Sequence, residues 1–173
     1  MTIEREAAVR AGRILEQVGA PLWLRRHGAL VAEAAQLLVD GVGVEGLDAR
    51  WVLLGAWLHD VGKVEHPGEL SGPGKAHEVA GRRLLLELGV EEKVADVCVS
   101  HGRWQGVEGL EPLLVVLADK LWKGKRVSAL EEKVIDGVAL RLGVSRWAVW
   151  ERLMALFDGV AADGDGRLGR SLV

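Results

Sequence analysis

Apolar residues recur at three- and four-residue intervals along most of the chain, and no segment alternates apolar and polar positions as a half-buried strand would. Glycine and proline clusters fall between these periodic segments, where they are expected to interrupt helices. The pattern therefore predicts an all-α protein. The predicted helices span residues 3–18, 27–39, 48–60, 76–88, 91–100, 111–123, 129–142 and 145–157.

Two segments between the predicted helices stand out by their composition. Residues 65–75 contain two prolines and three glycines, so they cannot form a regular helix. The second segment spans residues 102–109. Each directly follows a histidine-bearing segment, and we expect both to form walls of a site. Residues 161–173 are rich in glycine and charge and are predicted to be a flexible tail.

Composition and charge restrict the class of protein further. With 173 residues, 49% hydrophobic and 27% charged, the chain suits a single globular domain, which we assign to residues 1–160. Apolar runs are much shorter than the roughly 20 residues that cross a bilayer, so no membrane association is expected. The acidic N-terminal residues do not resemble a secretory signal, which favours a cytoplasmic location. A net charge of −3 predicts no extended nucleic-acid surface.

A single cysteine, Cys98, cannot form an internal disulfide and lies between two valines. Free cysteine is among the most buried residue types, so we expect Cys98 to pack as a small apolar side chain. The sequence does not determine the oligomeric state.

Polar residues at apolar positions are the strongest indication of chemistry. The helix predicted at 48–60 is apolar on nearly every face, which places it in the middle of the bundle, and it ends in His59-Asp60. Burying a carboxylate beside a histidine is costly unless the pair is hydrogen-bonded or binds a metal ion. Three further histidines and one aspartate lie on apolar stripes of other helices: His27, His77, His101 and Asp119.

Any one of these histidines could be an ordinary core residue with a satisfied hydrogen bond. Together they indicate more, because helical bundles form metal sites from inward-facing histidines and carboxylates on several helices. Mixed imidazole and carboxylate ligands suit divalent transition metals such as Fe, Mn, Co or Ni, and Mg is possible. The sequence therefore predicts two metal ions held by His27, His59, Asp60, His77, His101 and Asp119.

The order of these residues resembles the HD-domain superfamily of metal-dependent phosphohydrolases. The resemblance includes the form His59-Asp60-Val-Gly-Lys63 and covers positions 27 to 126. It implies a helical HD-domain bundle with a buried binuclear site, in which Asp60 bridges the two ions. The stretch from His101 through Asp119 and the following basic residues is similar to the bacterial symmetrical diadenosine tetraphosphate hydrolases. Because the chain lacks tyrosine, no substrate is carried over from that subgroup.

The resemblance implies a phosphohydrolase that uses a metal-activated hydroxide to cleave a phosphate ester or anhydride, with a small phosphorylated molecule, preferably a nucleotide, as substrate. Asp60 and Lys63 are expected to be catalytic, with Lys63 either balancing phosphate charge or forming a surface salt bridge to Glu65. Two alternatives remain: a mixed-valent di-iron oxygenase on the same ligands, and a nucleotide-binding module without activity. The residues expected to contact substrate are Lys63, Arg82, Trp104, Lys120 and Lys123.

Three of these residues also have simpler interpretations. Lys120 and Lys123 could complement the negative end of a helix dipole. Trp104 could anchor a loop against the core, although its ring could also stack on a base.

Overall fold

The structure, a computed structural model, describes residues 2–70 and 72–172. Within these two ranges every regular element is a helix, so the all-α prediction is confirmed. Short 3-10 helices lie in the connections at Val61–Val64, Pro67–Leu70 and Trp104–Gly106. The α-helices are α1 (Ile3–Gln17), α2 (Leu22–Val42), α3 (Ala49–Leu58), α4 (Ala76–Glu87), α5 (Glu92–Ala95), α6 (Val97–Ser100), α7 (Leu110–Leu121), α8 (Ser128–Leu142), α9 (Arg146–Ala162) and α10 (Gly164–Ser171).

Several helix boundaries differ from the predicted ones. Helix α2 begins directly after Pro21, five residues before the predicted start at residue 27. Its first turn already buries Leu24, and the partly exposed Arg25 and Arg26 separate this residue from the stripe that begins at His27. The helix predicted at 91–100 is divided into α5 and α6, which are separated by Asp96.

The C-terminal segment differs most from its prediction as a flexible tail. Helix α9 continues to Ala162, and α10 follows after one residue. Arg167 of α10 is only 1% exposed and donates hydrogen bonds to the Val160 carbonyl at 2.7 Å and to Glu33 at 3.0 Å. Because Glu33 belongs to α2, this contact could not be inferred from the composition of the tail.

Helix α3 lies at the centre of the bundle, as its uniformly apolar sequence predicts. It packs against α1, α2 and α7, and Asp48 caps its N-terminus by accepting a hydrogen bond from the Trp51 amide at 3.0 Å. Cys98 is fully buried, which confirms its interpretation as a core residue. Among the described helices none combines the length and apolarity needed to cross a membrane.

Gly62 allows the 3-10 helix after α3 to pack directly against α4. A Cβ atom at this position would lie 1.9 Å from the His77 carbonyl oxygen and 2.5 Å from the Gly81 amide nitrogen. Both contacts are with backbone, which cannot move aside as a flexible side chain could. The glycine in His59-Asp60-Val-Gly-Lys63 therefore brings the segment containing Asp60 close to the helix that carries His77.

We expect Gly62→Ala to lower the free energy of unfolding by about 1–3 kcal/mol, because the added methyl group overpacks this contact. Urea denaturation followed by circular dichroism measures the change. Gly12→Ala in α1 is the control, since among the described residues no atom apart from its chain neighbours and the backbone of its own helix lies within 4 Å of its Cβ position, and alanine favours helix by about 0.5–1 kcal/mol. Equal effects of the two substitutions would contradict the close-packing argument.

Candidate metal centre

Six side chains from five parts of the bundle converge on one point. His27 lies in α2, His77 in α4 and Asp119 in α7, while the pair His59-Asp60 follows the last residue of α3. The sixth, His101, follows α6. All are buried except His27, whose side chain is 18% exposed. The structure therefore brings together every residue that the sequence analysis selected as a metal ligand.

The Asp60 carboxylate stands between two groups of imidazoles. Its Oδ2 atom lies 3.2 Å from Nε2 of His27 and 3.6 Å from Nε2 of His59. Its Oδ1 atom lies 3.5 Å from Nε2 of both His77 and His101. Each group has ligand atoms close enough to share one metal ion, and Asp60 belongs to both groups. This arrangement is suited to a carboxylate that bridges two ions.

Asp119 extends the first of these groups. Its Oδ1 atom is 3.4 Å from Nε2 of His59 and 4.0 Å from Nε2 of His27. The group on this side therefore offers two imidazoles and two carboxylates, whereas the other side offers His77, His101 and the shared Asp60. Mixed nitrogen and oxygen ligands of this kind suit Fe, Mn, Co or Ni.

The Oδ1 atom of Asp60 provides a direct test of whether this donor set fits a metal. It is buried, and no group among the described residues donates a hydrogen bond to it. A buried carboxylate oxygen without a partner costs free energy, so such an atom needs an explanation. Because two imidazole Nε2 atoms face it at 3.5 Å, a shared cation supplies that explanation and the residues fit a metal.

The outer nitrogen atoms of three histidines are held by acceptors. His59 Nδ1 lies 2.9 Å from the Ala56 carbonyl oxygen, and His101 Nδ1 lies 3.1 Å from that of Val97. His77 Nδ1 contacts Glu69 at 2.5 Å. An acceptor at Nδ1 favours the tautomer that carries its proton there, which leaves Nε2 free to bind a metal. The three rings are thus oriented as ligands.

Both carboxylates of the site are ionised. Burial raises the pKa of Asp60, but the surrounding imidazoles and the Lys63 ammonium lower it well below its ordinary value. Burial also opposes ionisation of Asp119, yet hydrogen bonds with His59 and Lys120 lower its pKa well below the ordinary range. Carboxylates must be deprotonated to bind a metal, so both are ready ligands at neutral pH.

Two of the buried histidines respond differently to this environment. Burial and the neighbouring His59 lower the pKa of His101 to about 4, so its imidazole is neutral at pH 7. Burial lowers the pKa of His59, but Asp60 and Asp119 have the larger combined effect and raise it. The negative charge of the two aspartates therefore favours a cation beside His59, which can be a proton or a metal ion.

Five of the six candidate ligands, all but His59, are among the described residues that line a cavity of about 520 Å³. Three of the residues expected to contact substrate, Lys63, Lys120 and Lys123, line it as well. Lys63 Nζ is 2.7 Å from Asp60 Oδ2, and Lys120 Nζ is 2.7 Å from Asp119 Oδ2. The cavity therefore combines candidate metal ligands with the ammonium groups of three lysines. The alternative partner for Lys63 was wrong, because Glu65 pairs with Arg83.

The other two residues expected to contact substrate, Arg82 and Trp104, are absent from the described lining of this cavity. Arg82 pairs with Asp96 at 2.6 Å and Glu92 at 2.7 Å. It lies five positions after His77, which turns its side chain about 140° away from the ligand face of a helix with 3.6 residues per turn. Trp104 begins the 3-10 helix Trp104–Gly106 and packs, partly buried, against the hydrophobic core.

Glu69 is a residue of the site that the sequence analysis missed. Its carboxylate accepts hydrogen bonds from the backbone amides of Ala76 at 3.1 Å and His77 at 2.9 Å, and it also contacts the His77 ring. These hydrogen bonds, the His77 amide foremost, lower the pKa of Glu69 to about 2. Glu69 thus caps α4 and orients His77 at once. The only indication in the sequence was an acidic residue within residues 65–75, the Gly/Pro loop that precedes His77.

The cavity also contains residues that no sequence pattern indicated, namely Trp23, Leu70, Ser171 and Leu172. They come from the start of α2, from the Gly/Pro loop and from the C-terminal helix. Their shared position depends entirely on how distant segments pack.

A family model described as HD domain matches residues 25–135, which is well over half of the chain. This range contains all six candidate ligands and ends within α8. Searches of curated proteins and of solved structures gave no match.

We expect Glu69→Ala to weaken metal binding on the His77 side by about 10–100-fold, because residues that orient a ligating histidine typically contribute this much. Calorimetric titration of the metal-free protein with Mn²⁺ measures the affinity and the number of ions bound. Glu65→Ala is the matched control, since Glu65 is exposed and pairs with Arg83. Two ions bound with unchanged affinity in Glu69→Ala would exclude the orienting role.

Proposed function

The chain belongs to the HD-domain family, and on this premise we propose that it is a metal-dependent phosphohydrolase that cleaves a phosphate ester or anhydride of a small molecule, with a nucleotide as the preferred substrate. The observation that carries the proposal is the position of Asp60, whose two carboxylate oxygens face separate imidazole groups in a cavity lined by lysines. The same cavity thus contains side chains that can bind cations and ammonium groups that can bind anions.

In this proposal Asp60 would contribute a ligand to each of two divalent metal ions. His27, His59 and Asp119 would hold one ion with it, and His77 and His101 would hold the other. Ions at such a centre lower the pKa of bound water toward 7 and neutralise negative charge on a phosphoryl group. The native ions are proposed to be Fe, Mn, Co or Ni, with Mg possible.

The lysines of the cavity supply the remaining positive charge. Lys63, Lys120 and Lys123 can hold the non-bridging oxygens of a phosphoryl group and stabilise charge that develops there. Lys63 and Lys120 are each fixed by a carboxylate at 2.7 Å, so they are positioned before a substrate binds. Positioned charges stabilise a transition state better than mobile ones, because no reorganisation is required.

The experiment that tests this function separates the products of hydrolysis by chromatography, because cyclic nucleotides and dinucleoside polyphosphates can be hydrolysed without releasing inorganic phosphate. The protein is purified anaerobically and loaded with Mn, Fe, Co, Ni or Mg. The substrates are nucleoside mono-, di- and polyphosphates, dinucleoside polyphosphates and cyclic nucleotides. We expect hydrolysis with at least one metal. An oxygen-dependent product without hydrolysis of a phosphate ester or anhydride would instead indicate the di-iron oxygenase, and tight nucleotide binding without turnover would indicate a binding module.

We expect Asp60→Ala to lower kcat/KM by more than about 100-fold, because even residues that only orient a metal ligand contribute 10–100-fold. Metal content should fall in the same variant, as measured by elemental analysis. Asp96→Ala is the control, since Asp96 is exposed and pairs with Arg82 outside the cavity. Unchanged metal content and stability in Asp60→Ala would mean that no metal is bound at this site.

A further inference from the structure

The cavity of the candidate metal centre has an apolar side as well as a charged one. Leu70 and Leu172 both line it, although they are 53% and 87% exposed. Trp23, which is partly buried, lines the same space. Exposed large apolar residues beside a cavity are typical of a surface that is covered when a ligand binds.

Leu172 reaches the cavity because helix α10 is firmly attached to the bundle. The fully buried Arg167 donates hydrogen bonds to Val160 and Glu33. Arg170 donates two more to the same Glu33 carboxylate, at 2.8 and 2.9 Å. A buried guanidinium is stable only when its hydrogen bonds are satisfied, so these contacts fix α10 against α2.

The first residue of α10 is also packed against the turn that follows α7. A Cβ atom on Gly164 would lie 2.4 Å from the backbone nitrogen of Gly124. Gly124 has a φ of +77°, which lies in the left-handed region that favours glycine. This turn contains Lys123, which lines the cavity. Helix α10 is therefore tied to two elements of the candidate metal centre: α2, which carries His27, and the end of α7, which carries Asp119.

The consequence is that the end of α10 has a defined position relative to the candidate ligands. Ser171 and Leu172 lie at this end and form part of the cavity wall. The charged residues of the same cavity suit a phosphate group, whereas Leu172, Leu70 and the ring of Trp23 offer surface for an apolar or aromatic group. A ligand that satisfies both sides carries a phosphate and a flat apolar group.

Resting on the proposed phosphohydrolase function, we propose that Leu172 and Leu70, together with Trp23, form a specificity-determining wall for the organic part of the substrate. The wall favours phosphate esters that carry an aromatic group, such as nucleoside monophosphates or phenyl phosphate. Small polar esters such as glycerol phosphate gain nothing from it. The wall selects substrates through binding, and the candidate metal ligands remain unaffected.

The test compares KM for a nucleoside monophosphate, phenyl phosphate and glycerol phosphate in the wild type and in Leu172→Ala. We expect KM for the two aromatic esters to rise about tenfold, because the substitution removes the leucine side chain that the bound aromatic group would cover, while KM for glycerol phosphate stays unchanged. Leu168→Ala is the matched control, because this leucine also belongs to α10 but is absent from the described cavity lining. An equal change in KM for all three esters, or no change, would overturn the proposal.

Arg167→Met tests whether the attachment of α10 maintains the wall. This substitution keeps much of the side-chain volume but removes the hydrogen bonds to Val160 and Glu33. We expect the same selective rise in KM for aromatic esters and unchanged metal content by elemental analysis. If Arg167→Met does not fold, Arg170→Gln takes its place with the same expected result, because it removes the two hydrogen bonds that the exposed Arg170 of α10 donates to Glu33. Wild-type selectivity in the folded variant would exclude a role for the attachment.

Calorimetric binding of a nucleoside monophosphate separates this proposal from the proposed hydrolase function. If the wild type releases no phosphate from any ester, the hydrolase proposal fails, yet binding still reports on the wall. About tenfold weaker binding to Leu172→Ala than to the wild type would support the wall. Equal binding to both proteins, or no binding to the wild type, would overturn it.

Discussion

The structure depends on keeping the ionised carboxylate of Asp60 in the interior of a helical bundle. Transferring a charge from water into a protein interior is costly, and the cost is tolerated only when opposite charges and hydrogen-bonding groups surround it. Asp60 is 5% exposed and is flanked by four imidazoles and one ammonium group. The helices that supply these groups must therefore approach one another closely.

Close approach is achieved by backbone packing as much as by side-chain contacts. Gly62 allows the segment after α3 to touch α4, so that His77 reaches the same carboxylate as His59. Glu69 then fixes the start of α4 and the His77 ring together. The residues that shape the candidate metal centre thus include some outside the proposed ligand set. A change in either of them would alter the centre without removing a ligand.

The same reasoning connects the two sides of the cavity. Helix α10 is held by Arg167 against α2 and by Gly164 against the turn after α7, and these two elements carry His27 and Asp119. The elements that carry His27 and Asp119 therefore also hold the helix that precedes Leu172. In the proposed function, the charged groups would hold the phosphate and the wall would hold the organic group. Binding of the phosphate and binding of the organic group would then depend on different residues, so that substitutions could change one without the other.

The helical class, the central position of α3 and the six candidate ligands could all be predicted from the amino-acid sequence. This was possible because the buried positions of a helix recur every three or four residues in the sequence. A polar residue at such a position, such as His77 or Asp119, can therefore be recognised. Lys63, Lys120 and Lys123 were identified through their proximity in sequence to those ligands. Arg82 and Trp104 were close in sequence too, but helix rotation and loop packing directed them elsewhere.

The positions of Glu69, Arg167 and Leu172 became evident only from the packing of the folded chain. Glu69 lies in a loop without periodicity, and its partners follow from the path of the loop. The partner of Arg167 is 134 residues away along the chain, and the polar sequence of α10 gave no sign of a buried contact. Hydrophobic periodicity reports the environment of one helix at a time. Contacts between distant segments depend on how the helices pack together, which no local pattern records.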